Sequence, residues 1–132
     1  YEFFVGLDID FFADQILTPY PKTPLREEMI EKGLVTNKYD YSRYNCFWAN
    51  IRTNYLTPDE LQFLRWKYNK KYADYICTTK AFIKNYPAAY YYRTYFLRPY
   101  RKLKNSIFHN KLTERELYRE DMNRAEEMNK FF

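Results

Sequence analysis

Few side chains in this sequence have both the type and the spacing for chemistry. Asp14, Gln15 and Thr18 are the polar positions in an otherwise apolar run, Phe11 to Thr18, that leads into a proline-rich stretch. A buried polar side chain needs a partner, so each such position either holds a ligand or bonds back to the chain. Thr18 closes the run and Tyr20 follows it, at the end of a strand where parallel α/β enzymes place ligand contacts. Gln15, Thr18 and Tyr20 are therefore the candidate substrate- or cofactor-proximal residues. Asp8 and Asp10 could project to one side and do acid–base or metal work. They precede the run, however, and that end of a parallel strand is the structural one. His109 is the only histidine, and Cys46 and Cys77 lie too far apart for the close ligand sets of zinc or iron–sulfur sites. Glycine-rich phosphate loops, G-x-S-x-G and H-E-x-x-H are missing. The expected catalytic and metal residues within this chain are none.

The elements that must position these side chains follow from local signals. Residues 1–10 read as a helix end closing at Gly6, with Leu7 to Asp10 as the connection into a strand. Residues 11–18 read as a strand covered on both faces, because the apolar run is nearly continuous. Its partners would have to come from chain upstream. Thr23-Pro-Leu-Arg-Glu-Glu at 23–28 carries an N-cap, a proline at the first helical position and acids for the helix dipole. Lys32 and Gly33 mark the stop, which predicts a helix over 24–32 with Leu25, Met29 and Ile30 as its buried stripe. Residues 34–56 form an aromatic loop, with 46–53 as a short extended segment in which Phe47, Ala49 and Ile51 alternate with Trp48, Asn50 and Arg52. Thr57-Pro-Asp-Glu60 is a capping box that opens a long helix through Leu61, Leu64, Tyr68, Tyr72, Tyr75 and Ile76, expected to reach about Tyr86. A helix from Ala88 to Leu97 should end near Pro99. Thr113-Glu-Arg-Glu116, a second capping box, opens the last helix.

Composition agrees with a helical chain. The 132 residues include only two glycines, too few for a hairpin-rich all-β fold, while 16 Tyr and 11 Phe supply unusual aromatic content. Net charge is +5, and between Lys67 and Lys111 the lone acid is Asp74. Tyrosines interleaved with Lys and Arg suit either base stacking with phosphate neutralisation or a helix-packing interface with snorkelling basic rims. A basic aromatic helix at a membrane surface is a third reading. The helical spacing of the tyrosines favours packing, so neither nucleic acid nor membrane is the expected partner. No apolar run approaches the ~18 residues that span a bilayer. The two cysteines read as reduced thiols of a cytoplasmic protein.

Leu17-Thr-Pro-Tyr-Pro-Lys-Thr-Pro-Leu25, with Glu27 and Glu28 after it, resembles the segment that ends the last strand of the partial (β/α) barrel in radical S-adenosylmethionine enzymes with a cobalamin-binding domain. Gly6-Leu-Asp8 is similar to a turn before that strand, and Thr57-Pro-Asp-Glu-Leu61 to a helix start after the family's aromatic loop. The resemblance covers roughly residues 5 to 72. One letter departs: Lys22 stands where the family pattern has glycine. The family's C-x-x-x-C-x-x-C motif and its glycine-rich strand do not occur in this chain. Both belong upstream in the family, so the resemblance implies a C-terminal fragment.

What the resemblance implies for the parent is reductive cleavage of S-adenosylmethionine at a [4Fe–4S] cluster, with cobalamin in some members. The reaction types include methyl transfer and the oxidative cyclisation of the anaerobic magnesium-protoporphyrin IX monomethyl ester cyclases. The expected fold is mainly α: the last strand-helix unit of a partial (β/α) barrel in residues 1–56, then a helical C-terminal extension over 57–132. The expected function is to close the barrel and cap the substrate cavity, with no cofactor held by this fragment. Its expected partner is the upstream barrel of the same polypeptide, with self-association of the fragment when that partner is missing. The alternative is a basic aromatic helical module that binds nucleic acid or a protein.

Overall fold

A computed structural model of the chain describes residues 1–7, 14–108 and 112–129. The fold is mainly helical, and among the described residues no strand forms. Packing divides the chain into two units, one of Phe12–Asn69 and the other of Tyr1–Phe11 with Lys70–Phe132.

The first of these holds α2 (Pro24–Glu31), with Thr23 at its N-cap accepting from the Arg26 amide at 3.3 Å. Gly33 ends it in the left-handed conformation at φ 65°. The Leu34 N–H donates to Met29 O and the Gly33 N–H to Ile30 O, both at 2.9 Å, which is the two-bond Schellman closure. That closure delivers Leu34 and Val35 onto the helix, and Met29, Val35 and Ile51 form the core with Ile30, Leu34 and Leu61 against it. The expected stripe is corrected at one position: Leu25 is exposed and Arg26 is buried in its place. The expected extended segment at 46–53 makes a single antiparallel bridge, Val35 to Ile51. Its two ends are bonded by Arg52 N–H to Leu34 O at 2.8 Å and Thr36 N–H to Asn50 O at 3.0 Å.

Of the expected strand, residues 11–13 lie outside the described residues, and Asp14 to Thr18 form no regular secondary structure. A strand needs neighbours to satisfy its amides, and here the Ile16 N–H finds only the Cys46 carbonyl, at 3.0 Å. Asp8 and Asp10 also lie outside the described residues.

α3 (Pro58–Ile76) begins in the first unit and ends in the second. Its capping box forms as the sequence predicts, with the Thr57 N–H donating to Glu60 at 2.8 Å and the Glu60 N–H donating to Thr57 Oγ1 at 3.3 Å. It stops ten residues earlier than the expected end near Tyr86. The Thr78 and Thr79 hydroxyls donate to the Tyr75 and Ile76 carbonyls, at 2.6 and 2.9 Å, and Thr79 then caps α4 (Lys80–Asn85). Threonine hydroxyls offer the backbone carbonyls an alternative partner, and two in succession end the helix before any proline does.

In the second unit α1 (Glu2–Gly6) closes where expected, and the Tyr75 hydroxyl donates to Val5 O at 3.2 Å. α5 (Pro87–Tyr92) continues through a π turn (Arg93–Leu97) into α6 (Arg98–Phe108), so the expected stop near Pro99 is replaced by a widened turn. Proline has no N–H and its ring collides with the carbonyl four residues back. The π turn absorbs this: the Arg98 N–H bonds the Arg93 carbonyl, five residues back, and the helix passes Pro99 unbroken. α7 (Glu114–Asn129) begins at its predicted capping box, Thr113 N–H to Glu116 at 2.7 Å. His109 lies outside the described residues.

Candidate functional site

The three sequence-predicted residues do not form one cluster. Gln15 is exposed. Thr18 is buried, and its hydroxyl donates to Ile16 O at 3.1 Å, so it shapes the turn and is not aimed at a ligand. Tyr20 is exposed, and its hydroxyl meets Cys46 Sγ at 3.3 Å. Asp14 is tied to α3, by Asn69 Nδ2 at 2.6 Å and by Arg65 Nε at 3.4 Å. It is a structural acid.

What the turn does assemble is a box of three tyrosines around a buried arginine. Thr18-Pro-Tyr-Pro-Lys22 folds tightly because Pro19 and Pro21 fix their φ angles. The Tyr20 N–H bonds Thr18 O at 3.0 Å and Thr23 Oγ1 donates to Tyr20 O at 2.7 Å. Lys22 then takes φ 63°, the left-handed region. This sets the start of α2 so that Arg26 points back under the turn. Its Nη1 donates to Pro19 O at 2.9 Å and to the Tyr44 hydroxyl at 2.6 Å, and its Nη2 donates to Lys38 O at 2.6 Å. The guanidinium also lies over the Tyr44 and Tyr41 rings, 5.3 and 5.9 Å from their centroids. Tyr44 meets Tyr20 and Tyr41 edge to face at 6.4 and 5.3 Å, and its hydroxyl donates onward to Asn37 O.

Among the described residues Arg26 has no carboxylate within ion-pair distance; carbonyl oxygens, a phenol and ring faces hold its charge. Tyr20 is pushed above its ordinary value near 10, first by its bond to Cys46 and then by partial desolvation, so its phenol stays protonated at neutral pH. Cys46 stands at φ 64°, a second left-handed position that turns its thiol toward Tyr20. The site therefore offers an exposed neutral phenol, a thiol and a shielded cation. It has no paired acid and base, and it can bind or orient a group more readily than transform one.

Sequence reasoning missed Arg26, Asn50 and Gln62. Asn50 is almost fully buried: its Nδ2 donates to Arg43 O at 2.7 Å and its Oδ1 accepts from Asn37 at 2.8 Å. The Gln62 amide pairs with the loop as a strand would, accepting from the Ala49 N–H at 2.8 Å and donating to Phe47 O at 2.7 Å. Arg26 and Met29, spaced i and i+3, share the buried face, but nothing local distinguishes that arginine from a solvated one.

The aromatic content also departs from expectation. Tyr72 in α3 is buried, as helix packing requires, but Tyr91, Tyr92, Tyr95, Phe96 and Tyr100 on α5, the π turn and α6 are all exposed. Among the described residues no three His, Cys, Asp or Glu side chains gather. No described helix is long and apolar enough to cross a membrane. No protein family matches this chain, and neither a curated protein nor a solved structure is significantly similar to it.

Proposed function

We propose that this chain is the C-terminal segment of a cytoplasmic radical S-adenosylmethionine enzyme, and that it closes the barrel and caps the substrate cavity without being catalytic alone. The observation that carries this reading is the backbone at Lys22. The resemblance rests on a proline-rich turn in which this chain's one departure is Lys22 for glycine, and Lys22 holds φ 63°, a conformation that glycine adopts freely and lysine resists. A left-handed backbone at the one departing position is what a glycine there would adopt without strain, and it supports the reading on that ground. The proline-flanked loop feeding a capped α2 also agrees with a barrel's last strand-to-helix junction.

In this role Asp14 to Thr18 would pair with upstream strands of the parent. Tyr20 and Gln15, both exposed, would face substrate, with Tyr20 donating a hydrogen bond from a phenol that stays neutral. The [4Fe–4S] cluster, S-adenosylmethionine and any cobalamin would be held by residues outside this chain, and the reaction, methyl transfer or oxidative cyclisation, is the parent's.

The test starts from the coding sequence before Tyr1. A C-x-x-x-C-x-x-C motif there, and an anaerobically reconstituted extended protein that shows a [4Fe–4S] signal and releases 5′-deoxyadenosine from S-adenosylmethionine, is the expected result. An upstream region without that motif overturns the proposal.

A further inference from the structure

The face of the α5–α6 helix that turns away from its own unit is left unexplained by barrel closure. Inward, Tyr90, Arg93, Thr94 and Leu97 are half-buried, and Arg93 reaches Asp74 on α3 at 3.0 Å. Outward, Tyr91, Tyr92, Tyr95, Phe96, Tyr100 and Leu103 are each more than half exposed. Their rings are ordered in one-turn rows: Tyr91 stacks on Tyr95 with centroids 6.0 Å apart and planes 20° from parallel, and Tyr92 stacks on Phe96 at 6.1 Å and 24°. Past the π turn, Tyr100 and Leu103 on α6 are exposed as well.

Charge selects the partner. From Asp74 to Glu114 the sequence contains no intervening acid, while Lys80, Lys84, Arg98, Arg101, Lys102 and Lys104 fall within it. Of these, Lys102 is exposed on α6, and Arg98 one turn before it is also exposed although its guanidinium donates to Asp74 O at 3.4 Å. A row of open aromatic faces beside cations is the arrangement that holds single-stranded nucleic acid, bases on rings and phosphates on Lys and Arg. A membrane surface fits less well, because Phe96 and Leu103 are the only side chains of this face without a polar tip, which leaves little wholly apolar surface to sink below the headgroups. We infer that the outward face of α5–α6 binds single-stranded nucleic acid by stacking and phosphate contacts, without reading base sequence. This does not depend on the radical-enzyme reading.

The test uses the full chain and a fluorescein-labelled oligothymidylate of about 20 nucleotides, longer than one ~4–16-nucleotide stacking site. Fluorescence anisotropy at low salt should show saturable binding that weakens as salt rises, and a duplex of equal length should bind less tightly. Phe96→Ala and Tyr100→Ala, both at exposed positions and checked for unchanged helicity, should each weaken binding about tenfold or more. Lys102→Ala should lower the salt slope by about 0.7, one phosphate contact on a single strand. No binding at low salt overturns the inference, as does binding that the two aromatic variants leave unchanged, since charge alone would then explain it. Sedimentation with phosphatidylserine vesicles that those variants abolish, while the oligonucleotide fails to bind, also overturns it and assigns the face to a membrane.

Discussion

Lys22 and Cys46 both carry side chains at left-handed backbone positions, and Gly33 shows the same conformation where it costs nothing. An L-residue pays roughly 1–2 kcal/mol there, partly offset because glycine loses more entropy on folding. Lys22→Gly should therefore stabilise the protein by about 0.5–1 kcal/mol, read as a rise in urea midpoint at unchanged m. Cys46→Gly is the less informative change, since it also removes the thiol that meets Tyr20. Arg26 is the opposite case. Truncation to Ala leaves the buried Pro19 carbonyl and Tyr44 hydroxyl, and the part-buried Lys38 carbonyl, short of a donor, which should cost about 3 kcal/mol. Arg26→Lys should recover only part of that stability, because a point ammonium cannot serve three acceptors in the geometry of a planar fork. Both are checked by chemical denaturation.

At the scale of elements, caps decide where helices begin and end. Glu116 is held below its ordinary carboxyl value near 4.5, first by the Thr113 backbone N–H and then by the Thr113 hydroxyl. A carboxyl with a lowered folded-state value contributes stability that is fully present above its unfolded value and lost as pH falls through the folded one. The helicity of α7, followed by circular dichroism, should fall as pH drops below the usual carboxyl range, and Glu116→Gln should remove that dependence. Glu28 behaves in the same direction through Lys32, at an exposed pair whose effect high salt should reduce. Thr79→Val deletes the hydroxyl that caps α4 and should cost about 1 kcal/mol in thermal or urea unfolding.

At the scale of the molecule, the first unit rests on a small core of Met29, Val35 and Ile51, supplemented by the polar anchors Asn50 and Gln62. Ile51→Ala should cost about 2–5 kcal/mol, comparable with the whole stability of a core this size, and should abolish cooperative unfolding of residues 12–69 in hydrogen exchange. Exposed aromatic and aliphatic side chains, Phe3 and Phe47 as well as the α5–α6 face, predict concentration-dependent association in analytical ultracentrifugation. A protein that stays monomeric at high concentration would show that these side chains do not suffice for self-association.

What the sequence by itself determined was local. The two Thr-x-x-Glu boxes, Pro24 after Thr23, and Lys32-Gly33 gave α2, α3 and α7 their predicted starts, and α2 its end, because caps act between residues three or four apart. Proline was legible but ambiguous. Its clash is with the preceding turn, and the backbone either breaks, as the sequence suggested for Pro99, or widens into a π turn. Only the surroundings choose, and here they chose the π turn. The aromatic loop could be seen only as aromatic. Its anchors, Asn50 and Gln62, work by bonding backbone groups that lie far from them in sequence, which no local pattern records. The candidate site divides in the same way. Tyr20 was visible from its position after Thr18 and Pro19, whereas Arg26 became its neighbour only through the left-handed step at Lys22, the carbonyls of Pro19 and Lys38, and the ring of Tyr44. The sequence determined where helices cap; the tertiary structure decided which cation is buried and which aromatics face water, because burial is a relation among distant residues.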